Sequence, residues 1–223
     1  MNNIQYKKLL DTEKTILRNG MHSFHRYFGK LIPAIPAFAI KTFTKEGDYI
    51  LDSFCGSGTS LLEAKNLNRN AYGVDINPLA VFISKIKTTK ITKQHVKKVW
   101  DKMKLEINND KYDYSKATSP YCVNIDHWFK DFAKNDLLKL QKHILKLPNN
   151  DTKDFFLGCF SAFLRGVSNA DPMHVFPGYS KRLRKLDSEG KRNIDVFASF
   201  ERAIKKRMEY LEKIPLNKVK IKS

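Results

Sequence analysis

The chain has 223 residues, 42% of them hydrophobic and 12% aromatic, which supports one sizeable core with an added subdomain and argues against a disordered chain. A formal net charge of +18 at pH 7 makes a polyanion, nucleic acid first, the natural partner class. No apolar run reaches membrane-spanning length, and MNNIQYKKLLDTEK lacks the apolar stretch and cleavage site of a secretory leader, so no membrane contact and a cytoplasmic location are expected.

Residues 1–20 read as a polar helix and turn that ends at Asn19-Gly20, and MHSFHRYFGKLIP (21–33) reads as an irregular aromatic and basic loop. After Pro33 and Pro36, AFAIKTF is expected to be helical. Gly47-Asp48 marks a turn into YILDSF, whose continuous apolar character predicts a parallel strand covered on both faces. Thr59–Asn68 is predicted as a helix on which Leu61, Leu62 and Lys65 follow one another at helical spacing, and AYGVD (71–75) as a second strand. Asn77 then caps a further helix with Pro78 in its first turn. Strand, helix, strand and helix within about forty residues form a βαβ unit with a right-handed crossover.

Beyond residue 90 strand signals nearly vanish. Residues 92–108 and 128–147 read as helices, the second ended by Pro148-Asn149-Asn150, and residues 154–170 are apolar enough for a buried helix. Residues 171–193 read as a basic loop rich in Pro and Gly. A last helix carries the stripe Phe197, Phe200, Ile204, Met208 and Leu211, and LNKVKIKS alternates like the start of a strand. Basic residues crowd residues 181–223, where fourteen Lys and Arg face six Asp and Glu. Lys181, Arg182, Arg184 and Lys185, beside Tyr179, are candidates for DNA phosphates, and a solvated basic loop is the plainer reading. Cys55, Cys122 and Cys159 are odd in number and widely spaced, which fits neither a disulfide framework nor a zinc pattern. The six histidines are scattered, so no metal is expected.

The chemistry centres on LDSFCGSGTS (51–60), an apolar strand running into glycines two apart. A nucleotide-triphosphatase loop needs lysine directly after its last glycine, and Gly58 is followed by Thr59 and Ser60. A dinucleotide fingerprint wants a third glycine or alanine three residues on, and position 61 is Leu. Asp75 closes the second strand seventeen residues after Gly58, where a doubly wound sheet presents a carboxylate to ribose hydroxyls. A ligand with a ribose and no essential phosphate satisfies both facts, and S-adenosylmethionine is one. Asp52 is then placed to accept from its ammonium group, with Gly56 and Gly58 admitting close backbone approach. Without a ligand the same residues read as a capping aspartate and a tight turn.

From Met21 to Ala80 the sequence resembles the N-terminal part of the amino DNA methyltransferases, which modify cytosine N4 or adenine N6. LDSFCGSGTS resembles their cofactor motif D-P-F-x-G-S-G-T, with Ser53 at the Pro position, and GVDINPLA resembles the motif that follows it. HSFHRYFGKLIPAIP resembles the N-terminal motif that wraps the methionine end of the cofactor, carried here by His25, Gly29, Lys30 and Pro33. The helical stretch around NIDHWF and SAFLRGVSNA resembles, less specifically, an insertion that some members carry. The resemblance implies an S-adenosylmethionine site. By that resemblance Lys30, Pro33, Asp52, Phe54, Gly56 and Gly58 are expected to surround the methionine part and Asp75 to hold the ribose, with His25, Cys55, Thr59, Ile76 and Asn77 completing the site.

The family's Ser/Asp-Pro-Pro-Tyr tetrapeptide, whose acceptor groups and tyrosine ring handle the target base, is absent. The nearest stretch is Thr118-Ser119-Pro120-Tyr121, one proline short, which makes Ser119, Pro120 and Tyr121 weak catalytic candidates; Asp171-Pro172 is followed by Met173-His174. In the family's sheet strand four lies beside strand one, and without it YILDSF is an edge that recruits a partner or aggregates. The expectation is an α/β fold: a partial Rossmann-like methyltransferase sheet over 1–90 and a largely helical subdomain over 91–223. It is expected to bind S-adenosylmethionine and DNA, with cytosine-N4 favoured over adenine-N6, and to work with a second methyltransferase subunit that carries strand four and the Pro-Pro-Tyr motif. Two alternatives stand beside it: a non-catalytic cofactor- or DNA-binding remnant, and an RNA methyltransferase subunit.

Overall fold

Residues 20–120, 124–171, 174, 178–212 and 219–223 are described by the structure, a computed structural model. The predicted polar helix over 1–20 falls almost entirely outside them. The chain divides into two units, Met1–His95 with Arg207–Ser223, and Val96–Lys206.

In the first unit a 3-10 turn, Met21–Ser23, leads through an irregular loop into α1 (Ala34–Phe43). Then follow β1 (Tyr49–Asp52), α2 (Thr59–Asn66), β2 (Asn70–Gly73) and α3 (Pro78–Thr88). β3 (Ile221–Lys222) comes from the tail that reads as the start of a strand. The sheet order is β1-β2-β3, parallel throughout, with Tyr49 opposite Asn70, Asp52 opposite Gly73 and Ala71 opposite Ile221. Asn70 pins the incoming strand, its Oδ1 accepting from the Lys220 N–H at 2.8 Å. The core is small: Ile40, Cys55, Leu61, Ala64 and Ala71, with Ile50, Leu67 and Ile221 packed on it.

One expectation is corrected here. YILDSF does not have both faces covered, because Leu51 is 70% exposed and burial alternates along β1. Among the described residues β1 has a strand neighbour on one side only. An apolar run reports that a strand avoids water and does not report whether its own chain supplies the cover.

The second unit is helical. The chain enters it within α4 (Lys93–Asn109), followed by a short turn at Tyr114–Lys116 and by α5 (Ile125–Trp128), α6 (Asp131–Leu145) and α7 (Asp151–Val167). α8 (Lys181–Ser188) comes next, and the chain leaves within α9 (Val196–Leu211). Val96, Trp100, Met103 and Ile107 recur at helical spacing on α4 and are all buried. Asn150 starts α7 by accepting the Thr152 and Lys153 N–H groups on its Oδ1. The core is aromatic: Trp100 meets the Phe200 ring edge-on at 5.5 Å between centroids, and Phe163 meets Phe200 at 5.1 Å. Phe200→Ala removes the ring shared by these contacts and should destabilise this unit by about 3–5 kcal/mol, read as a lower urea midpoint.

Residues 171–193 are not the continuous loop expected from their Pro and Gly content. Ser180 caps α8 by accepting from the Leu183 N–H, and Gly190 closes it in the left-handed region, with Lys191 N donating to the Leu186 carbonyl at 2.9 Å. Good helix formers between a serine cap and a glycine stop outweigh the flanking breakers. Among the described residues no helix is long and apolar enough to cross a membrane, and no cluster of His, Cys, Asp and Glu is arranged to hold a metal ion.

Candidate cofactor site

The strand ladder continues past the ends of β1 and β2. Val74 N donates to the Asp52 carbonyl and Cys55 N to the Val74 carbonyl, both at 2.9 Å. The chain then turns tightly through Gly56 and Gly58, both at positive φ. Gly58 serves as the N-cap of α2 and puts no side chain over its first turn. A Cβ at Gly58 would stand 2.3 Å from Ser84 Oγ and 2.9 Å from Ser84 Cα, so only glycine lets α3 pass this close.

Asp75 reaches across from the end of β2 into this turn. Its Oδ2 accepts from the Gly56 N–H and its Oδ1 from the Asn77 N–H, each at 2.8 Å. Asn77 in turn caps α3, accepting from the Leu79 N–H at 3.0 Å. An ionised carboxylate offers about four acceptor positions, so Asp75 keeps capacity for a diol. Asp52 accepts from the Phe54 N–H on Oδ1 at 3.2 Å. Phe54 and Ile76 are exposed, Phe54 88% so, while Thr59 is buried. Cys55 is buried below the turn; burial first, then the Asp52 and Asp75 carboxylates, push its thiol up, which makes it a poor nucleophile.

The 21–33 loop lies alongside, its Tyr27 ring being the group nearest to a Cβ built on Gly56, at 3.5 Å. Lys30 ties the loop together by donating from Nζ to the His22 and His25 carbonyls at 2.8 and 2.6 Å. Burial lowers the Lys30 pKa. Burial also lowers His25, aided by Arg207 and Lys30 and opposed by the hydrogen bond from its Nδ1 to the Arg26 carbonyl at 2.7 Å. Pro33 is buried just before α1. The twelve residues expected to hold the cofactor all belong to the first unit, and Asp52–Thr59 and Asp75–Asn77 meet at the carboxyl ends of two parallel strands, the position at which open α/β sheets bind ligands.

Sequence reading missed a group of buried polar side chains behind the turn. His22 Nε2 pairs with Glu63 Oε1 at 2.7 Å. Lys65 donates to the Thr88 carbonyl at 2.7 Å, and burial takes its pKa down to about 8. Lys87 donates to the Ser57 carbonyl at 2.6 Å. The signal was present: Ala80, Ile83 and Ser84 mark the inner face of α3, and Lys87 is the next residue on it.

In the second unit Lys181, Arg182, Arg184 and Lys185 are exposed on α8, with the Arg184 guanidinium 4.2 Å over the Tyr179 ring. Ser119 and Pro120 lie in irregular chain after the Tyr114–Lys116 turn; Tyr121, Pro172 and Met173 lie outside the described residues. Nearby, Tyr114 Oη donates to Asp110 at 2.5 Å and His143 Nε2 lies 2.9 Å from the same oxygen. The tyrosine bond above all holds the Asp110 carboxyl far below the usual carboxylate range.

Comparison with known proteins matches residues 2–86 to a DNA methylase family of the N6/N4 type. The chain is 31% identical over 175 residues to the Type II methyltransferase M.MvaI of Kocuria varians, a match covering 75% of this chain and 38% of that protein. It is 32% identical over 113 residues to M.MjaII of Methanocaldococcus jannaschii, covering 51% of this chain and 20% of that protein. Over 32 residues, 14% of this chain and 12% of the relative, it is 62% identical to M2.DpnII of Streptococcus pneumoniae. The chain thus spans well under half the length of these relatives. No solved structure matches it. The similarity to N6/N4-type DNA methylases thus lies in residues 2–86, and the similarity to a Type II methyltransferase extends over 175 residues.

Proposed function

We propose that this chain is the donor-holding part of a site-specific DNA amino-methyltransferase that uses S-adenosylmethionine. The observation that carries this is the pairing of Asp75 with the glycine turn: the ribose acid and the close-approach backbone meet in one place. The residues fit the group. Asp75 retains acceptor capacity for the ribose hydroxyls. The uncapped start of α2 and the absence of Cβ atoms at Gly56 and Gly58 leave backbone N–H groups approachable. Asp52 is positioned to take the ammonium group, Phe54, Lys30 and Pro33 to bound the methionine end, and Ile76 and Asn77 to flank the adenosine. When bound, the cofactor supplies a methyl group made electrophilic by its sulfonium. Asp52 and Asp75 fix both ends of that donor, so orientation supplies much of the rate.

The acceptor is an exocyclic amine of a DNA base, cytosine N4 ahead of adenine N6, on a duplex whose phosphates meet Lys181, Arg182, Arg184 and Lys185. Such an amine is a poor nucleophile because its lone pair is delocalised into the ring. A Ser or Asp followed by Pro-Pro-Tyr, with a backbone carbonyl, accepts its protons while the tyrosine stacks on the flipped base. We assign that motif and strand four to a second polypeptide. The reading is supported by the edge of β1 that has no strand neighbour among the described residues, and by the uncovered sheet face on which Tyr49 and Leu51 are exposed.

The test is complementation. The chain alone should retain S-adenosylmethionine and transfer no methyl group. Adding a polypeptide that carries the Ser/Asp-Pro-Pro-Tyr motif should give transfer of labelled methyl to duplex DNA. Donor retention with no transfer in any mixture would favour a non-catalytic remnant, and transfer to RNA alone would favour an RNA-directed enzyme; either result overturns the assignment.

A further inference from the structure

We propose that Lys87 is a positioning residue for donor binding: from beneath the glycine turn it holds the Ser57 carbonyl and so fixes the Gly56–Gly58 backbone that the donor meets. This rests on the reading of that turn as the donor site. Three successive residues of the turn are each fastened differently. Asp75 takes the Gly56 N–H, Lys87 takes the Ser57 carbonyl, and Ser84, one helical turn before Lys87, blocks any side chain at Gly58. No motif of the sequence singles out Lys87.

The lysine is a poor choice for stability alone. It is 1% exposed, and among the described residues no carboxylate lies within ion-pair distance of it. Glu63 is the nearest acid to act on it, and the Glu63 Oε1 is already paired with His22. Lys30 opposes it from the 21–33 loop. A buried ammonium with one carbonyl for a partner costs more than a methionine of similar volume in the same space. What the lysine contributes here is therefore the hold on the turn, through its bond to the Ser57 carbonyl.

Burial first, then Lys30, opposed by Glu63, takes the Lys87 pKa down to about 7. Its folded-state pKa lies below the unfolded value, so the unfolded chain binds more protons and stability rises with pH from about 7 towards 10.5. The ammonium, the stronger donor to Ser57, is lost over the same rise through 7. Stability and donor affinity should therefore respond to pH in opposite directions.

The experiment compares the full chain with Lys87→Met. Melting is followed at pH 6 and pH 9, S-adenosylmethionine affinity by calorimetry from pH 6 to 9, and amide exchange at Gly56–Gly58 without donor. At pH 6 Lys87→Met should melt higher than the parent yet bind donor about tenfold more weakly, the effect of one lost charge-assisted hydrogen bond. The ratio of the two dissociation constants should shrink towards pH 9; titration of the donor's own amino group is common to both chains and cancels. Equal affinities at pH 6, or a ratio constant across the range, overturns the proposal. If neither chain binds donor, the donor-site reading fails, and amide exchange still judges Lys87: faster exchange at Gly56–Gly58 in Lys87→Met upholds its role in the turn, and unchanged exchange overturns it.

Discussion

Asp75→Ala should weaken S-adenosylmethionine binding by at least about a hundredfold in calorimetry. A carboxylate that receives both hydroxyls of a ribose makes two charge-assisted hydrogen bonds, each worth roughly 1.5–3 kcal/mol, and losing both is about 100- to 10,000-fold in affinity. The substitution also frees the Gly56 and Asn77 N–H groups, each now held at 2.8 Å, so the turn loses a fastening as the ligand loses a partner. Asp75→Asn separates these effects. It keeps one acceptor oxygen for the backbone and lacks the charge, so it should bind at an intermediate level. The second unit shares no core residue with this position, and its helical circular dichroism should be unchanged in both variants. Parental affinity in Asp75→Ala would remove the ribose from this carboxylate and the donor from this site.

Gly58→Ala should be the most damaging single methyl in the first unit. Gly58 sits at φ +72, where a side chain costs roughly 1–2 kcal/mol before any contact is counted. The new Cβ would then lie 2.3, 2.8 and 2.9 Å from the Oγ, Cβ and Cα of Ser84, the last being backbone that cannot swing away. Helix α3 must shift, and a loss of about 3 kcal/mol or more is expected in urea unfolding, with donor binding lost alongside. Gly29→Ala is the control. Its φ is +70, but nothing lies within 4 Å of an added Cβ, so it should cost only the backbone term. Adding Ser84→Ala to Gly58→Ala should recover part of the loss, because Oγ goes while Cβ and Cα stay. Equal urea midpoints for Gly58→Ala and Gly29→Ala would mean that α3 does not press on the turn.

The parts of the site readable from sequence were those set by local rules. Two glycines two apart after an apolar strand, an acid ending the next strand, and Asn-Pro opening a helix each demand a backbone geometry, and the geometry follows. Alternation in LNKVKIKS was enough to anticipate β3, since period-two patterning needs no partner to be seen. What escaped depended on surroundings. Lys87 looks like any surface lysine until α3 is wound and its inner face counted. The exposure of Leu51 depends on what lies beyond β1. Helix α8 is hidden in the overall Pro and Gly content of residues 171–193, because its cap and its stop act at single positions.

The discontinuity of the first unit bears on how it is made. Lys220, which docks on Asn70, follows it by 150 residues. At about 5–20 residues per second, a ribosome needs on the order of 10–30 s to cover that interval. Throughout it β2 has been synthesised and β3, its neighbour opposite β1 among the described residues, has not. Closing so long a loop belongs to the slow end of folding, and it must follow the local helices of the second unit. The sheet of the first unit is thus begun well before β3 is translated and completed on that side only after it.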